Sequence, residues 1–228
     1  MIQHDTILFD VNETMLDLGP MRPKFEAAFG NDAVMATWFS MLLHASTVCA
    51  LTEVKSTFAT LADEMLNKLA ARLEIPLSDA TRSEILDGLM HLPPYADVKP
   101  ALGRLRCAGY RTVAFTNSSL VMAKQQMDHA GLSDVLDDVV SVEPTGSFKP
   151  DAKVYRFVAE HLKRPIETLR LVAAHDWDTH GALSAGMRAA YLDRSGATYN
   201  PRYLMPDICA STMQEFAESI ETRDTLND

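Results

Sequence analysis

Polar side chains that can act as nucleophiles, bases and cations follow short apolar runs at four points in the chain. A carboxylate can serve as a covalent nucleophile, a lysine can supply positive charge beside it, and a histidine can move a proton. A lone polar residue after an apolar run is more often a helix cap, so no single one identifies a site. The four sets are Asp10 with Glu13 and Thr14, Thr116 with Asn117, Lys149, and His175 with Trp177 and Asp178.

The apolar runs before these residues have the length and composition of buried parallel strands. They lie at residues 7–9, 112–115, 139–142, 169–173 and 189–192, and segments with helical periodicity separate them. This alternation predicts an α/β fold, a Rossmann-like three-layer core whose parallel sheet is covered on both faces. Right-handed crossovers place the carboxyl ends of the strands at one edge, where ligands bind in such sheets. The four sets are therefore expected to meet there.

The segment between the first and second predicted strands breaks the alternation. Residues 19–92 are almost entirely helical in pattern, with Pro20 near the start and Pro93 and Pro94 just beyond the end. We interpret residues 19–92 as a helical cap domain inserted into a core domain made of residues 1–18 and 93–228. A final surface helix is expected after Met213.

Composition and charge exclude several classes of protein. Of 228 residues, 47% are hydrophobic and 23% are charged, which suits a protein with a sizeable core. The net charge of −10 argues against a nucleic-acid partner, because such a surface must neutralise phosphates. The cysteines and histidines lack the spacing of zinc ligands. No apolar run approaches the roughly 18 residues of a membrane span, and residues 1–5 lack the start of a signal peptide. We expect a cytoplasmic protein without a metal or a membrane partner.

The order of the four sets resembles the haloacid dehalogenase superfamily over nearly the whole chain. Within it, the details are similar to the type II (S)-2-haloacid dehalogenases, which carry a helical cap after the first strand. The sequence Trp177-Asp178 followed by Gly181 is a feature of that branch. The matching stretches are residues 9–17, 115–118, 142–144, 148–151 with Tyr155, and 172–178.

The resemblance implies hydrolytic dehalogenation of a small L-2-haloacid to a 2-hydroxy acid. Asp10 attacks the C2 carbon with inversion and forms an ester, and no cofactor takes part. Lys149 compensates the negative charges of Asp10 and of the substrate carboxylate. The hydroxyls of Thr14 and Thr116 are expected to orient Asp10 and bind that carboxylate, and Asn117 is expected to donate toward the departing halide.

Supporting roles are also predicted around this centre. Tyr155 matches a family position that supports the lysine, although simple packing explains it equally well, and Asp178 is expected to orient Lys149 or to cap the next helix. Hydrolysis of the ester needs a base, and a neutral His175 paired with Glu13 is competent near pH 7. The alternative is that His175 bonds only locally and Glu13 is a solvated turn residue.

Three positions depart from the usual dehalogenase pattern. Asn12 stands where many relatives have an aromatic residue, Phe39 stands where many have a cap arginine that helps receive the halide, and His175 with Ala174 replaces a common Ser-Asn pair. Phe39, Phe58 and Trp177 are expected to form an apolar pocket for the halogen and alkyl end, or else belong to the core. The resemblance also implies a homodimer, with residues 35–51 as a possible interface.

Two other functions compete with this prediction. A phosphatase of the same superfamily needs a second aspartate two residues after the nucleophile, and Asn12 cannot donate a proton in that way. It also needs acidic residues in the fourth loop to hold Mg²⁺, for which Asp176 is a candidate. A non-catalytic binding protein of the same fold is expected to lose the nucleophile or the lysine, and both are present.

Overall fold

A computed structural model describes residues 6–226 of the chain. Six strands form one parallel sheet in the order β3-β2-β1-β4-β5-β6, which confirms the predicted Rossmann-like α/β core. Five strands lie within a residue or two of the predicted apolar runs. The strands are β1 (Thr6–Phe9), β2 (Arg111–Thr116), β3 (Asp138–Ser141), β4 (Leu169–Ala173), β5 (Arg188–Leu192) and β6 (Ile208–Ala210).

The strand order places β1 where the topology changes direction. The chain builds β2 and β3 on one side of β1 and then crosses to build β4, β5 and β6 on the other. Loops that leave neighbouring strands in opposite directions open a crevice at their carboxyl ends, and ligands bind there in open α/β sheets. Asp10, the residue after β1, therefore stands at the switch point.

The helices of the core cover both faces of the sheet. Up to β5 they alternate with the strands, as the periodicity predicts. All but the helix after β4 bury an apolar side, and that helix buries Asp178 and Thr179 beside Gly181 and Ala182. The last helix packs against α5 and β6, and its Phe216 ring meets Phe9 of β1 edge-on with the ring centroids 6.2 Å apart. The core helices are α5 (Val98–Cys107), α6 (Leu120–His129), α7 (Ala152–Leu162), α8 (Asp176–Ser184) and α9 (Met213–Leu226).

Four helices lie between β1 and α5, ahead of β2. Side chains of Thr57 and Ser78 cap the third and fourth of them at their N-termini, as is usual for hydroxyl residues. Trp38 is fully buried at the centre of this unit, and its indole donates a hydrogen bond to Ala62 O at 3.0 Å. The helices are α1 (Arg22–Phe29), α2 (Val34–Thr52), α3 (Phe58–Arg72) and α4 (Asp79–Gly88).

Helix α2 corrects one expectation from the sequence. It has 19 residues and a mean hydropathy of 1.5, so by length and composition alone it could cross a membrane. The prediction that no apolar run approaches such a length was therefore wrong, because polar residues such as His44 are too few to lower the mean hydropathy of the helix below that of a membrane span. About a third of this stretch is buried, on a side that packs against α1 and α3.

Candidate active site

Asp10 is held by strand β4 through its backbone and by Thr14 through its side chain. Its backbone amide donates to Val172 O at 3.0 Å, which continues the pairing of β1 with β4. The Thr14 hydroxyl donates to Asp10 Oδ2 at 2.9 Å and accepts a hydrogen bond from Ala174 N, also at 2.9 Å. Thr14 thus ties the loop after β1 to the loop after β4, and it fixes one oxygen of the carboxylate.

Lys149 occupies the other side of Asp10. Its Nζ lies 3.1 Å from Asp10 Oδ1, 3.0 Å from Asp178 Oδ2 and 2.8 Å from Phe115 O, which uses all three of its donors. The side chain is only 1% exposed. A buried ammonium with three acceptors and no freedom to turn supplies a fixed positive charge beside Asp10.

Asp178 and Tyr155 support the lysine from behind. Asp178 is fully buried, and the Tyr155 hydroxyl donates to its Oδ1 at 2.5 Å while Lys149 takes Oδ2. Gly181, one turn later in α8, makes this contact possible, because a Cβ there would lie 2.6 Å from the Tyr155 hydroxyl. The structure therefore places Asp178 on Lys149 and Tyr155 on Asp178, away from direct contact with Asp10.

Burial and charge set the protonation states in this group. Burial raises the pKa of Asp10, but Lys149, His175 and Thr14 outweigh it and hold that pKa well below its usual range. Burial lowers the pKa of Lys149, and the two carboxylates more than reverse this. Burial and the charge of Asp10 leave the pKa of Asp178 raised. Asp10 is accordingly an ionised carboxylate, as a nucleophile must be.

His175 lies between two carboxylates. Its Nε2 is 2.9 Å from Glu13 Oε2, and its Nδ1 is 3.4 Å from Asp10 Oδ2. Glu13 adopts the left-handed conformation (φ 62°), which is unfavourable for a non-glycine residue and is found at functional sites. The structure therefore brings the two predicted partners together through a strained loop.

Two carboxylates set the protonation state of His175 in the free enzyme. Burial lowers its pKa, but Asp10 and Glu13 outweigh burial and raise the pKa to about 10. His175 is thus an imidazolium when Asp10 is free. Pairing with Glu13 alone does not predict this charge state, because the loop geometry also brings Asp10 next to the ring as a second carboxylate.

A small cavity opens onto Asp10 beneath α2 and α3. The three predicted aromatic residues form part of its wall, and the Trp177 ring stacks on His175 with the centroids 5.2 Å apart. Thr116 lines the cavity, but its hydroxyl accepts from Ser118 N and does not bind Asp10. The cavity is lined by Asp10, Asn12, Phe39, Leu43, Phe58, Thr116, Asn117, His175 and Trp177.

Asn117 has a structural bond as well as a place in the cavity. Its Oδ1 accepts from the backbone amide of Lys149 at 3.0 Å, so it links the loops after β2 and β3. This bond fixes the amide group of Asn117 at the cavity wall, where it faces the same space as Asp10 and Phe58.

Arg194 is a functional candidate that the sequence reasoning missed. Its guanidinium donates to Thr14 O at 3.3 and 3.1 Å and to Asp97 Oδ2 at 2.8 Å, and it lies over the Tyr95 ring. Arg194 lies just after β5. The other candidate residues were found as polar residues just after an apolar run, and the same rule could have found Arg194. It holds the loop that carries Thr14.

The residues do not fit the metal site of a phosphatase. Asp176 follows β4, but its Oδ2 already accepts a hydrogen bond from Asn200 N at 3.2 Å. Both Asp178 oxygens are taken by Lys149 and Tyr155. Within residues 6–226, no group of three His, Cys, Asp or Glu side chains could hold a metal ion.

The fold and these contacts define a doubly wound α/β protein with a helical insertion and an ionised, buried aspartate at its switch point. A family model for haloacid dehalogenase-like hydrolases matches residues 4–173, and the chain belongs to this family. The (S)-2-haloacid dehalogenase of Pseudomonas sp. strain YL is 25% identical over 218 residues, which are 95% of this chain and 94% of that protein. These findings confirm the resemblance drawn from the sequence.

Two further comparisons add one relative in structure and one in sequence. The structure of L-2-haloacid dehalogenase from Xanthobacter autotrophicus with chloropropionic acid covalently bound superposes with a TM-score of 0.87 at 20% identity, and covers 96% of this chain and 98% of that one. Phosphatase MT3486 of Mycobacterium tuberculosis is 38% identical over 139 residues, 59% of this chain and 63% of that protein.

Proposed function

We propose that the protein hydrolyses small L-2-haloacids to 2-hydroxy acids through an ester of Asp10. The observation that carries the proposal is the ionised Asp10, held by Lys149 and Thr14, at the floor of a cavity with aromatic walls. Curated relatives with this activity span nearly the whole chain, and a structural relative holds chloropropionic acid covalently. An aromatic wall suits an alkyl halide better than it suits a phosphate, which needs several donors.

In the first step, an oxygen of Asp10 attacks C2 of the substrate from the side opposite the halogen. The new C–O bond forms as the C–X bond breaks, and the halide leaves with the bonding electron pair. Lys149 offsets the repulsion between Asp10 and the substrate carboxylate. Thr116 and Asn117 are two of the three neutral polar residues of the cavity wall, and we assign them to the carboxylate and the halide.

In the second step, water attacks the ester carbonyl of Asp10. His175, oriented by Glu13, takes the proton from that water, and the 2-hydroxy acid leaves as the Asp10 carboxylate is restored. Support for this assignment comes from the 3.4 Å separation of His175 Nδ1 and Asp10 Oδ2, which places the ring beside the carboxyl group that forms the ester.

The test is halide release from (S)-2-chloropropionate or bromoacetate in EDTA, with Asp10→Asn as the inactive control. Mass spectrometry after a single turnover in H₂¹⁸O should find the heavy oxygen in the peptide that contains Asp10. His175→Gln and Glu13→Gln should still release halide in one turnover but accumulate the ester. Label in the hydroxy acid instead, or normal steady-state rates in both variants, would contradict the proposal.

A phosphatase is the second candidate, because the 38% identity to a phosphatase favours it. Asn12 replaces the acid that such a reaction uses, and Asp176 is turned toward Asn200. Hydrolysis of p-nitrophenyl phosphate that requires Mg²⁺, together with no halide release, would establish the phosphatase. The reverse result supports the dehalogenase.

We also propose that the protein is a homodimer that pairs through α2. Val48 and Leu51 of this helix are 42% and 79% exposed, so an apolar side remains open beyond the buried one. Light scattering coupled to size exclusion tests this, with Leu51→Glu expected to give a monomer and Leu120→Glu, on α6, to leave the mass unchanged.

A further inference from the structure

We propose that alkylation of Asp10 makes His175 lose its Nδ1 proton, so that the ester itself converts the imidazolium into the base that hydrolyses it. This inference rests on the proposed function and concerns when the proton of the reaction leaves the enzyme. A dehalogenation produces one halide and one proton per turnover, and the structure points to release of that proton before hydrolysis.

The geometry gives each ring nitrogen a different carboxylate. Nε2 is hydrogen-bonded to Glu13 at 2.9 Å, and this contact does not involve the reacting atoms. Nδ1 is buried and has no hydrogen bond among residues 6–226, and the nearest charge to it is Asp10 Oδ2 at 3.4 Å. The partner of Nδ1 is thus the group that the reaction neutralises.

The other surroundings of the ring are mostly uncharged. Trp177 stacks on one side, and Phe39 from the helical insertion lies with its ring centroid 6.4 Å away. Lys149 contacts the opposite oxygen of Asp10, and Asp176 is directed toward Asn200. Asp10 and Glu13 are therefore the charges that hold the proton on His175, in agreement with its pKa of about 10.

The ester removes one of these two charges. A carboxylate near an imidazolium raises its pKa by about one to three units, and an ester has no charge to do so. Glu13 remains and keeps the proton on Nε2. Nδ1 is then the nitrogen that deprotonates, and it faces the ester carbonyl that water must attack.

The complete cycle balances. The Asp10 carboxylate and the imidazolium react with the haloacid to give ester, halide and imidazolium, and the imidazolium then releases one proton to solvent. Neutral His175 takes a proton from the attacking water as hydroxide adds to the ester carbonyl. Collapse of that adduct breaks the bond between the Asp10 carbonyl carbon and the oxygen on C2, and the proton of the added hydroxyl passes to that oxygen. The hydroxy acid leaves, the Asp10 carboxylate is restored beside the imidazolium, and hydrolysis itself releases no proton.

The electrostatic part is tested without substrate, by NMR titration of the histidine Cε1–H signals in the wild type and in Asp10→Asn. The amide is neutral, as the ester is, and His175→Gln identifies the signal. The pKa of His175 should fall by at least about one unit in Asp10→Asn. Asp32→Asn, which removes an exposed carboxylate paired with Arg22, should leave it unchanged. An unchanged pKa in Asp10→Asn overturns the proposal.

The timing is tested in wild-type enzyme, so it does not depend on the folding of a variant. In a single turnover at about pH 9, in weak buffer with an indicator dye, the proton should appear together with halide and before the hydroxy acid. Proton release that follows the hydroxy acid overturns the inference. Absence of halide release would instead overturn the proposed function, and the titration of Asp10→Asn would still report the coupling between Asp10 and His175.

Discussion

Replacement of Lys149 by methionine separates the charge of this residue from its bulk. Methionine keeps most of the apolar stem, so the packing around Phe115 and Asp178 changes little. The ammonium is lost, and Asp10 and Asp178, which both contact it at about 3 Å, face each other without compensation. We expect a folded protein with no ester formation and a large loss of stability.

The magnitude follows from the two carboxylates. Removing one partner of a buried ion pair lowers the free energy of unfolding by about 3 to 5 kcal/mol. The variant can limit this loss by protonating one aspartate, which from the ordinary pKa of 3.8 costs about 5 kcal/mol at pH 7.5 but only about 1.6 kcal/mol at pH 5. Because a raised carboxyl pKa favours the folded state in acid, the deficit relative to wild type should shrink as the pH falls.

Urea unfolding of both proteins at pH 7.5 and pH 5 measures this difference. In thermal melts, the same loss should lower the melting temperature of Lys149→Met by roughly 6 to 20 °C at the higher pH. Adding Asp178→Asn should recover part of the loss, since the second carboxylate is then absent. A loss below about 1 kcal/mol, or a deficit that does not change with pH, would refute the view that Lys149 chiefly compensates these two charges.

Three further predictions use contacts around the same centre. Gly181→Ala should lose about 1 to 3 kcal/mol of stability and slow ester formation, because its Cβ would displace Tyr155. The control Gly103→Ala in α5, where a Cβ meets nothing within 4 Å, should gain about 0.5 to 1 kcal/mol in the same thermal melts. Arg194→Lys should slow ester formation by roughly 10- to 100-fold with little change in KM, measured by rapid quench, whereas Arg22→Lys, in an exposed pair, should not. His175 has a folded pKa of about 10 against 6.5, so the stability it adds over His175→Gln should be complete below pH 6.5 and lost as the pH rises through 10, measured by urea unfolding at pH 6, 8 and 10.

Much of the fold could be predicted because its parallel strands are continuous apolar runs. β4, Leu169–Ala173, is buried at every residue, and the end of its apolar run also predicts where the loop with His175 begins. β6 was missed because it has three residues, of which Cys209 is exposed, and such a short alternation does not stand out. Arg194 lies just after β5 and could have been found by its position, but its bond to Thr14, 180 residues away, could not be predicted from any local pattern.

Spacing could predict which residues meet but not their charge states. Glu13 and His175 could be paired because both loops leave neighbouring strands, β1 and β4. That Asp10 lies within 3.4 Å of the same ring depends on the left-handed turn at Glu13 and on side-chain orientation. Protonation depends steeply on such distances, so the sequence alone could not give the protonation state of His175 in the free enzyme.

The charges around Asn12 explain why a neutral residue suits this position. Three carboxylates, of Asp10, Glu13 and Asp178, already share the charges of Lys149 and His175. Asn12 lines the same cavity, and its buried Oδ1 has no hydrogen-bond partner among residues 6–226. An aspartate there would add a fourth negative charge beside the nucleophile and raise its pKa, and it would also repel an incoming carboxylate. The amide instead keeps Asp10 ionised and offers a neutral surface to an anionic substrate.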